Sequence, residues 1–560
     1  MQKIWNIPSP LPFGQIKLAK NLDIHPLIAQ ILINRNITDE SQARIFLEAD
    51  LSMLYDPFRL KDMDRAVERI KQAKRNNESV LIFGDYDVDG ITACALLKST
   101  LLKMGLKVSH YIPHRLNEGY GLNGSVEKLA KHKKIDLLIS VDCGITSIIE
   151  IEALNKTGID TIIVDHHEPL KHKLPKAVAI INSKRHDCTY PFKDLAAVGL
   201  VFKLCGAMEA KTLTEDLDFV ALGTIADVMS LTGENRILVK HGLKQINRTK
   251  KKGLQALIEV SGLKDKSIEP SFISFILAPR LNASGRLSSA EKSLSLLLSQ
   301  DLNQALNLAR ELNDENKMRQ KIQEEILSEA LSLVEKEVNF KEHNIIVVSK
   351  QGWHRGVLGI VASKITERFY RPSIVISLEQ NLGRGSGRSI ESFHLFNALS
   401  SCSSLLKNFG GHAFAAGLTI SKENIEPFKL LLNSFAKEKI APQDLNPSLK
   451  IDAEFPLSAL NLKLIKDIEN LAPFGVGNPK PLLCSRNLKL KGKPIVLRGE
   501  TIKFWVTDGK LTCQVLGFGM VSLLDIISEA KHLDLVYTPA IDTWREEPAI
   551  QIELKDIKVG

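Results

Sequence analysis

At 560 residues the chain is too long for one hydrophobic core, so roughly two to four domains are expected. Its 44% hydrophobic and 25% charged residues exclude extended disorder, and no apolar run approaches the roughly 20 residues of a membrane span. A formal charge of +9 favours a polyanionic partner without demonstrating one, and seven scattered cysteines with no CxxC pair argue against a structural zinc site.

Residues 1–50 read as a short helical lead-in, because IHPLIAQILINR has helical periodicity. The opening MQKIWNIPSPLPFGQ lacks the basic start and apolar core of a signal peptide. With reduced thiols and no membrane segment, the expected location is cytoplasmic. A catalytic domain is expected over 51–235, where apolar runs at 79–84, 107–112, 136–141, 160–164 and 177–181 alternate with amphipathic segments. Three of those segments, ITACALLKSTLLKMG, SVEKLAKHKK and TSIIEIEALNKTG, read as crossover helices. The fold class is therefore α/β, with a mostly parallel sheet covered on both faces. A connecting region, 236–340, contains a segment without Gly or Pro at 301–338 that reads as one long helix and a rigid spacer. A smaller α/β domain is expected over 341–440, with GRGSGRS at 383–389 and FGGHAFAAG at 409–417. From 450 to 560 short strands and turns, with a helix near 520–530, predict a β-barrel of the OB type. Arg486, Lys489, Lys491, Lys493, Arg498 and Lys503 beside Phe504 and Trp505 suggest that it holds nucleic acid.

The chemistry concentrates at strand ends. DYDVDG at 85–90 follows an apolar run, so Asp85, Asp87 and Asp89 are expected to converge and to repel unless cations neutralise them. Asp142 closes a second run and Asp165-His166-His167 a third; Asp227 is an acid on an apolar helix face in VALGTIADVMSL. Oxygen ligands with one or two imidazoles suit Mg2+ or Mn2+, and a carboxylate bridging two such ions about 3.5–4 Å apart is the arrangement of two-metal hydrolases. A lone DxD can be a calcium turn or an exposed loop, and a lone His-His pair carries no signal. Their coincidence at successive strand ends of one sheet points to a shared site. RHDCTYP at 185–191 lacks metal partners and reads as a loop; RTKKKG at 248–253 reads as a solvated face.

DYDVDG, SVDCG, VDHHEP and IADV resemble the four motifs of the DHH phosphoesterase superfamily. RLNASGR at 280–286, the FGGHAFAAG segment and the C-terminal YTPAIDTWREEPAIQIELKDI resemble further motifs of its RecJ branch, so the likeness covers nearly the whole chain. The resemblance implies a DHH domain, a DHHA1 domain and an OB-fold, with two Mg2+ or Mn2+ ions. It implies Asp87, Asp89, Asp142, His166 and Asp227 as ligands, with Asp142 the bridge. Asp85 joins the cluster as a ligand or by holding a water, and His167 contacts the scissile phosphate. Simpler members carry a His where this chain has Asp85, which leaves the division of aspartates between the ions open. By the same likeness His114, Arg115, Ser386 and Arg388 hold a 5′-phosphate, while Arg280, Asn282, Arg286 and His412 contact the strand.

The implied activity is exonucleolytic degradation of single-stranded DNA, 5′→3′, to 5′-mononucleotides, in recombinational repair, mismatch repair and replication restart. The enzyme is expected as a monomer, with a helicase and a single-strand-binding protein as possible partners. One rival is a phosphodiesterase for short oligoribonucleotides or cyclic dinucleotides, which generally lacks the C-terminal barrel. The other is a non-catalytic scaffold, whose mark is degenerate metal motifs; here every ligand position is filled.

Overall fold

The computed structural model describes residues 3–560 except 116, 117, 120, 125, 171, 172 and 543–546. Ser125 of the second crossover segment and 543–546 of the C-terminal motif thus lie outside the described residues. The chain forms two compact units that do not follow its order: 57–227 with 244–447, and 3–56 with 228–243 and 448–560.

The first unit holds two sheets. One contains β1 (Ser79–Gly84), β2 (Lys107–Tyr111), β3 (Leu137–Val141), β4 (Asp160–Val164) and β5 (Ala179–Ile181), all parallel, in the order β2-β1-β3-β4-β5. Its three central strands, β1, β3 and β4, are near-continuous apolar runs because both faces are covered. Helix α1 (Val88–Lys103) follows β1 and packs on α2 (Ala197–Glu209) and α3 (Leu217–Ala226). The fit of α3 on α1 is close: a Cβ on Gly223 would lie 2.4 Å from Thr92 Oγ1.

Helix α4 (Ala278–Leu287) continues from a π-helical turn at Ile273–Leu277 and precedes the long helix α5 (Leu302–Glu337). The spacer expected at 301–338 is this helix, but it is not free-standing. Its apolar residues recur at three- and four-residue spacing, so Ala305, Ala309 and Leu312 and then Ile326, Ala330 and Val334 are buried on one face. The first half packs against α4 and the second against α6 (Leu358–Phe369).

The second sheet comprises β6 (Ile346–Gln351), β7 (Ser373–Glu379), β8 (Leu382–Arg388), β9 (Leu406–Gly411) and β10 (Ala415–Ser421), ordered β9-β10-β8-β7-β6. GRGSGRS is therefore largely strand β8. Gly383, Gly385 and Gly387 face the apolar side, where a Cβ would come within 2.8–3.1 Å of Ile376, Ile420, Leu418 or Leu395 side chains. The alternate residues Arg384, Ser386 and Arg388 face the other way.

In the second unit β11 (Leu483–Leu497), β12 (Thr501–Thr507), β13 (Thr512–Gly517), β14 (Leu533–Asp542) and β15 (Ala549–Val559) run β11-β12-β13-β15-β14, and β14 pairs back to β11, closing a barrel. The N-terminal segment is part of this unit and not a detached lead-in. Leu27, Ile31 and Phe46 share a core with Leu464, Phe504 and Leu535, and a strand at Ile4–Asn6 pairs with Ser448–Lys450. The fully buried Arg236 donates to the carbonyls of Phe46 and Ala472 and lies 3.8 Å over the Phe46 ring.

Two members of the expected nucleic-acid surface are otherwise engaged. Phe504 is 1% exposed and belongs to the barrel core, and Arg486 pairs with Glu454 and Asp534. Lys489, Lys491, Lys493 and Arg498 are exposed. Lys251, in the basic run read as a solvated face, ion-pairs with the buried Asp216 and Asp218. Among the described residues no helix is long and apolar enough to cross a membrane, and all seven cysteines are free and buried.

Candidate metal centre and strand-end pocket

Register builds the centre. Gly84 pairs with Val141 and Val141 with Val164, so the next residues, Asp85, Asp142 and Asp165, leave three adjacent strands at one level. Asp87 and Asp89 do not alternate along a strand, as the sequence suggested, because β1 ends at Gly84. Asp87 caps α1, accepting from the N–H groups of Asp89 and Gly90, and Asp89 sits in the first turn. The turn is tight enough that a Cβ on Gly90 would lie 2.7 Å from the Asp85 carbonyl oxygen. Asp89 in turn accepts from the N–H groups of Ala197 and Val198 at the start of α2. Asp227 stands just past α3, at its C-cap, and not on the helix face.

Three groups each bring their ligand atoms within 4.8 Å of one another: Asp85, Asp87 and Asp142; Asp89, His166 and Asp227; and Asp142, His166 and His167. Asp142 and His166 each belong to two of them. His166 Nε2 lies 3.3 Å from Asp142 Oδ1, 3.5 Å from Asp227 Oδ2 and 3.9 Å from Asp89 Oδ2. Burial and mutual repulsion act together on the acids. Both push Asp85 and Asp142 well above the carboxylate range, Asp89 to about 7 and Asp227 to about 9. Burial, helped by the neighbouring His167, lowers His166 to about 3 and keeps it a neutral donor. Buried Asp85 Oδ1 has no hydrogen-bond partner among the described residues. Crowded carboxylates with an unsatisfied oxygen and a neutral imidazole fit hard divalent cations such as Mg2+ or Mn2+.

Because the metal-free folded values of Asp89 and Asp227 exceed those of the unfolded chain, the associated stability is complete below about pH 4 and is lost as pH rises through about 7 and 9. The melting temperature of the chelated protein is therefore expected to fall between mildly acidic and alkaline pH. Millimolar Mn2+ is expected to restore more of it at the alkaline end, since binding displaces those protons. Calorimetry with and without Mn2+ across that range checks this; a Mn2+ increment independent of pH contradicts it.

Asp165 acquires a role the motif alone leaves open. Burial favours its neutral form, but the bond and charge of His167 and the Ile145 N–H outweigh burial and hold the carboxyl low. Its carboxylate accepts from His167 Nδ1 at 2.8 Å, and from the backbone N–H groups of His167 and Ile145. Burial would lower His167, but the Asp165 bond raises it above the ordinary value. That bond fixes the orientation of the imidazole.

Beside this centre lies a cluster of guanidinium groups. Burial first, and then repulsion from Arg115, Arg319 and Arg388, brings Arg286 down to about 9; burial and Arg115 also lower Arg388. Among the described residues neither Arg115, Arg286 nor Arg388 ion-pairs with a carboxylate. Arg115 lies 4.9 Å over the Tyr86 ring and is close enough to Asp85 for their charges to interact. Arg388 donates to Ser386 Oγ at 3.3 Å, and Gly359 lets α6 approach both, since a Cβ there would lie 2.8 Å from Arg388 Nη2. His412 is exposed, within electrostatic reach of Arg388 and His167. The backbone N–H of His114 donates to Glu118, while its buried Nδ1 has no hydrogen-bond partner among the described residues; the Arg280 guanidinium donates to Ile276 O and Asn313 Oδ1. Asn282 lies half-buried on α4. In the sequence Tyr86 is only the residue between two aspartates.

Residues 79–224 match the DHH family, N-terminal domain; 342–438 match the DHHA1 domain and 451–556 the RecJ OB domain. The chain is 38% identical over 559 residues to the single-stranded-DNA-specific exonuclease RecJ of Bacillus subtilis, spanning 99% of this chain and 71% of that one. The chain belongs to the RecJ family. RecJ of Dickeya dadantii is 33% identical over 536 residues, 91% of this chain and 93% of its own. The crystal structure of Thermus thermophilus RecJ in complex with Mn2+ matches with a TM-score of 0.85 at 28% identity, covering 100% of this chain and 80% of that one. The same RecJ in complex with Mg2+ matches at 0.79 and 26% identity, covering 100% and 78%.

Proposed function

We propose that the chain is a Mg2+- or Mn2+-dependent exonuclease that degrades single-stranded DNA from its 5′ end, releasing 5′-mononucleotides. The observation that carries this reading is the pairing of a buried carboxylate cluster with guanidinium groups that, among the described residues, form no ion pair with a carboxylate: one side fits divalent cations, the other a terminal phosphate. Asp87, Asp89, Asp142, His166 and Asp227 would hold two ions, with Asp142 shared, and Asp85 completes the wall. When bound, such ions supply a deprotonated water at neutral pH and neutralise charge at phosphorus.

The chain's own groups do the rest. Arg115, Ser386 and Arg388 hold the 5′-phosphate, which sets the distance from strand end to scissile bond and so the mononucleotide step. Arg286 adds positive charge along the strand, with Arg280, Asn282, His114 and His412 at the margin of the path. His167, held by Asp165, presents Nε2 to a non-bridging phosphate oxygen as negative charge develops. The exposed lysines of the barrel offer a backbone-tracking surface for single-stranded DNA. We assign the enzyme to recombinational repair, mismatch repair and replication restart, acting as a monomer beside a helicase or single-strand-binding protein.

The test uses a long single strand labelled at either end, with Mn2+. Mononucleotides appearing first from the 5′ label support the reading; internal cuts, or 3′ label released first, contradict it. Arg388→Ala is expected to raise KM on a 5′-phosphorylated strand about 10–100-fold, the worth of a charge-assisted bond, while changing degradation of a 5′-hydroxyl strand little.

A further inference from the structure

The face of the second sheet that carries Arg388 and Ser386 continues along β8 to Arg384, with about 6.7 Å between successive members of the row. Pairing places Thr419 beside Arg384 and Asn408 beside Thr419; one level inward, Gly417 lies beside Ser386 and Gly410 beside Gly417. These residues border a cavity of about 440 Å³, shared with Arg115 and Arg355. Among the described residues no acidic side chain lines it. Arg355 meets Glu379 at 3.2 Å through Nε, but exposed Arg384 has no carboxylate within ion-pair distance among the described residues. Leu358, the first residue of the 12-residue helix α6, also borders it, so the positive end of that helix dipole adds to the field.

Two glycines leave the floor of this cavity open. A Cβ on Gly410 would meet nothing within 4 Å, and one on Gly417 would meet only Gly385 O at 3.8 Å. Neither residue has a left-handed φ. Packing therefore demands glycine at 383, 385 and 387, whereas at 410 and 417 neither packing nor backbone does. A side chain at 410 or 417 would project into the cavity and reduce its volume.

We propose that this cavity is a distal anion subsite for the β- and γ-phosphates of a 5′-triphosphorylated strand, which the enzyme degrades without prior trimming to a monophosphate. The inference rests on the reading that Arg115, Ser386 and Arg388 hold the terminal phosphate. With the α-phosphate there, the next two extend past Ser386 towards Arg384, Thr419 and Asn408. The bond broken is still the P–O3′ bond between the first two nucleotides. Water supplies the oxygen that joins phosphorus, the 3′-oxygen leaves with a proton, and the first product is a nucleoside triphosphate; later products are monophosphates.

The experiment compares one single strand bearing a 5′-monophosphate, a 5′-triphosphate or a 5′-hydroxyl, using the full chain with Mn2+ and chromatography of the first product. The wild-type protein is expected to cleave the triphosphorylated strand within about threefold of the monophosphorylated one, releasing the triphosphate. Arg384→Glu is expected to lose at least tenfold on the triphosphate end and less than twofold on the monophosphate end, and Arg384→Lys to recover most of that loss. A triphosphate end handled no better than a hydroxyl end, or an Arg384→Glu defect equal on both phosphorylated ends, overturns this inference alone. Failure on the monophosphate end as well overturns the parent reading and the inference with it.

Discussion

Asp142→Asn is expected to abolish strand degradation, lowering kcat by at least about 10³, or roughly 4 kcal/mol of transition-state stabilisation, while raising the melting temperature of the metal-free protein. Asp142 belongs both to the group with Asp85 and Asp87 and to the group with His166 and His167, so its charge is felt by every ligand proposed here. Asparagine keeps the volume and tolerates the left-handed backbone at this position, where φ is 63°. What it removes is one negative charge from a buried set in which Asp87, Asp89, Asp85 and Asp227 all repel it. The metal-free fold should therefore gain stability as the holo enzyme loses function. The increment in melting temperature caused by Mn2+ should shrink in parallel. An active Asp142→Asn protein contradicts the assignment, and so does an inactive one whose Mn2+ increment is unchanged.

The parallel sheet and the barrel were legible because their strands are apolar runs cut by turn residues. The acidic cluster was legible because acids gathered at successive strand ends repel one another unless a cation sits among them. What stayed hidden depends on contacts distant in sequence. The spacing of Asp85, Asp87 and Asp89 suggested a strand pleat, whereas a strand–turn–helix closed by Gly90 brings them together. The period-two glycines in GRGSGRS gave no sign of what they face, and only the neighbouring Ile376, Leu418 and Ile420 show that they face a core. The N-terminal helices carried a helical pattern but no sign of their partner, since Leu27 and Ile31 cluster with residues more than 400 positions away. Phe504 looked like a stacking aromatic because burial in a closed barrel cannot be read from a seven-residue strand.

His167→Ala is expected to lower kcat by about 10²–10³, the usual cost of removing one preorganised donor to developing oxyanion charge, with the Mn2+-induced rise in melting temperature largely kept. The two histidines of the pair are set to opposite tasks by their surroundings. His166 is buried, lowered to about 3, and turns Nε2 towards Asp142, Asp227 and Asp89, so its loss should weaken metal binding. His167 is raised instead, and its Nδ1 is engaged by Asp165 at 2.8 Å, which suits the substrate-contacting role proposed above for its Nε2. Asp165→Asn supplies the sharper comparison. It keeps an oxygen for the His167 N–H but removes the charge that raises the imidazole, so the alkaline limb of the kcat profile should move to lower pH. An unchanged profile would mean that His167 does not act as a cation. Should His167→Ala instead erase the Mn2+ increment as His166→Ala does, the imidazole is a ligand and the division of labour between the pair is wrong.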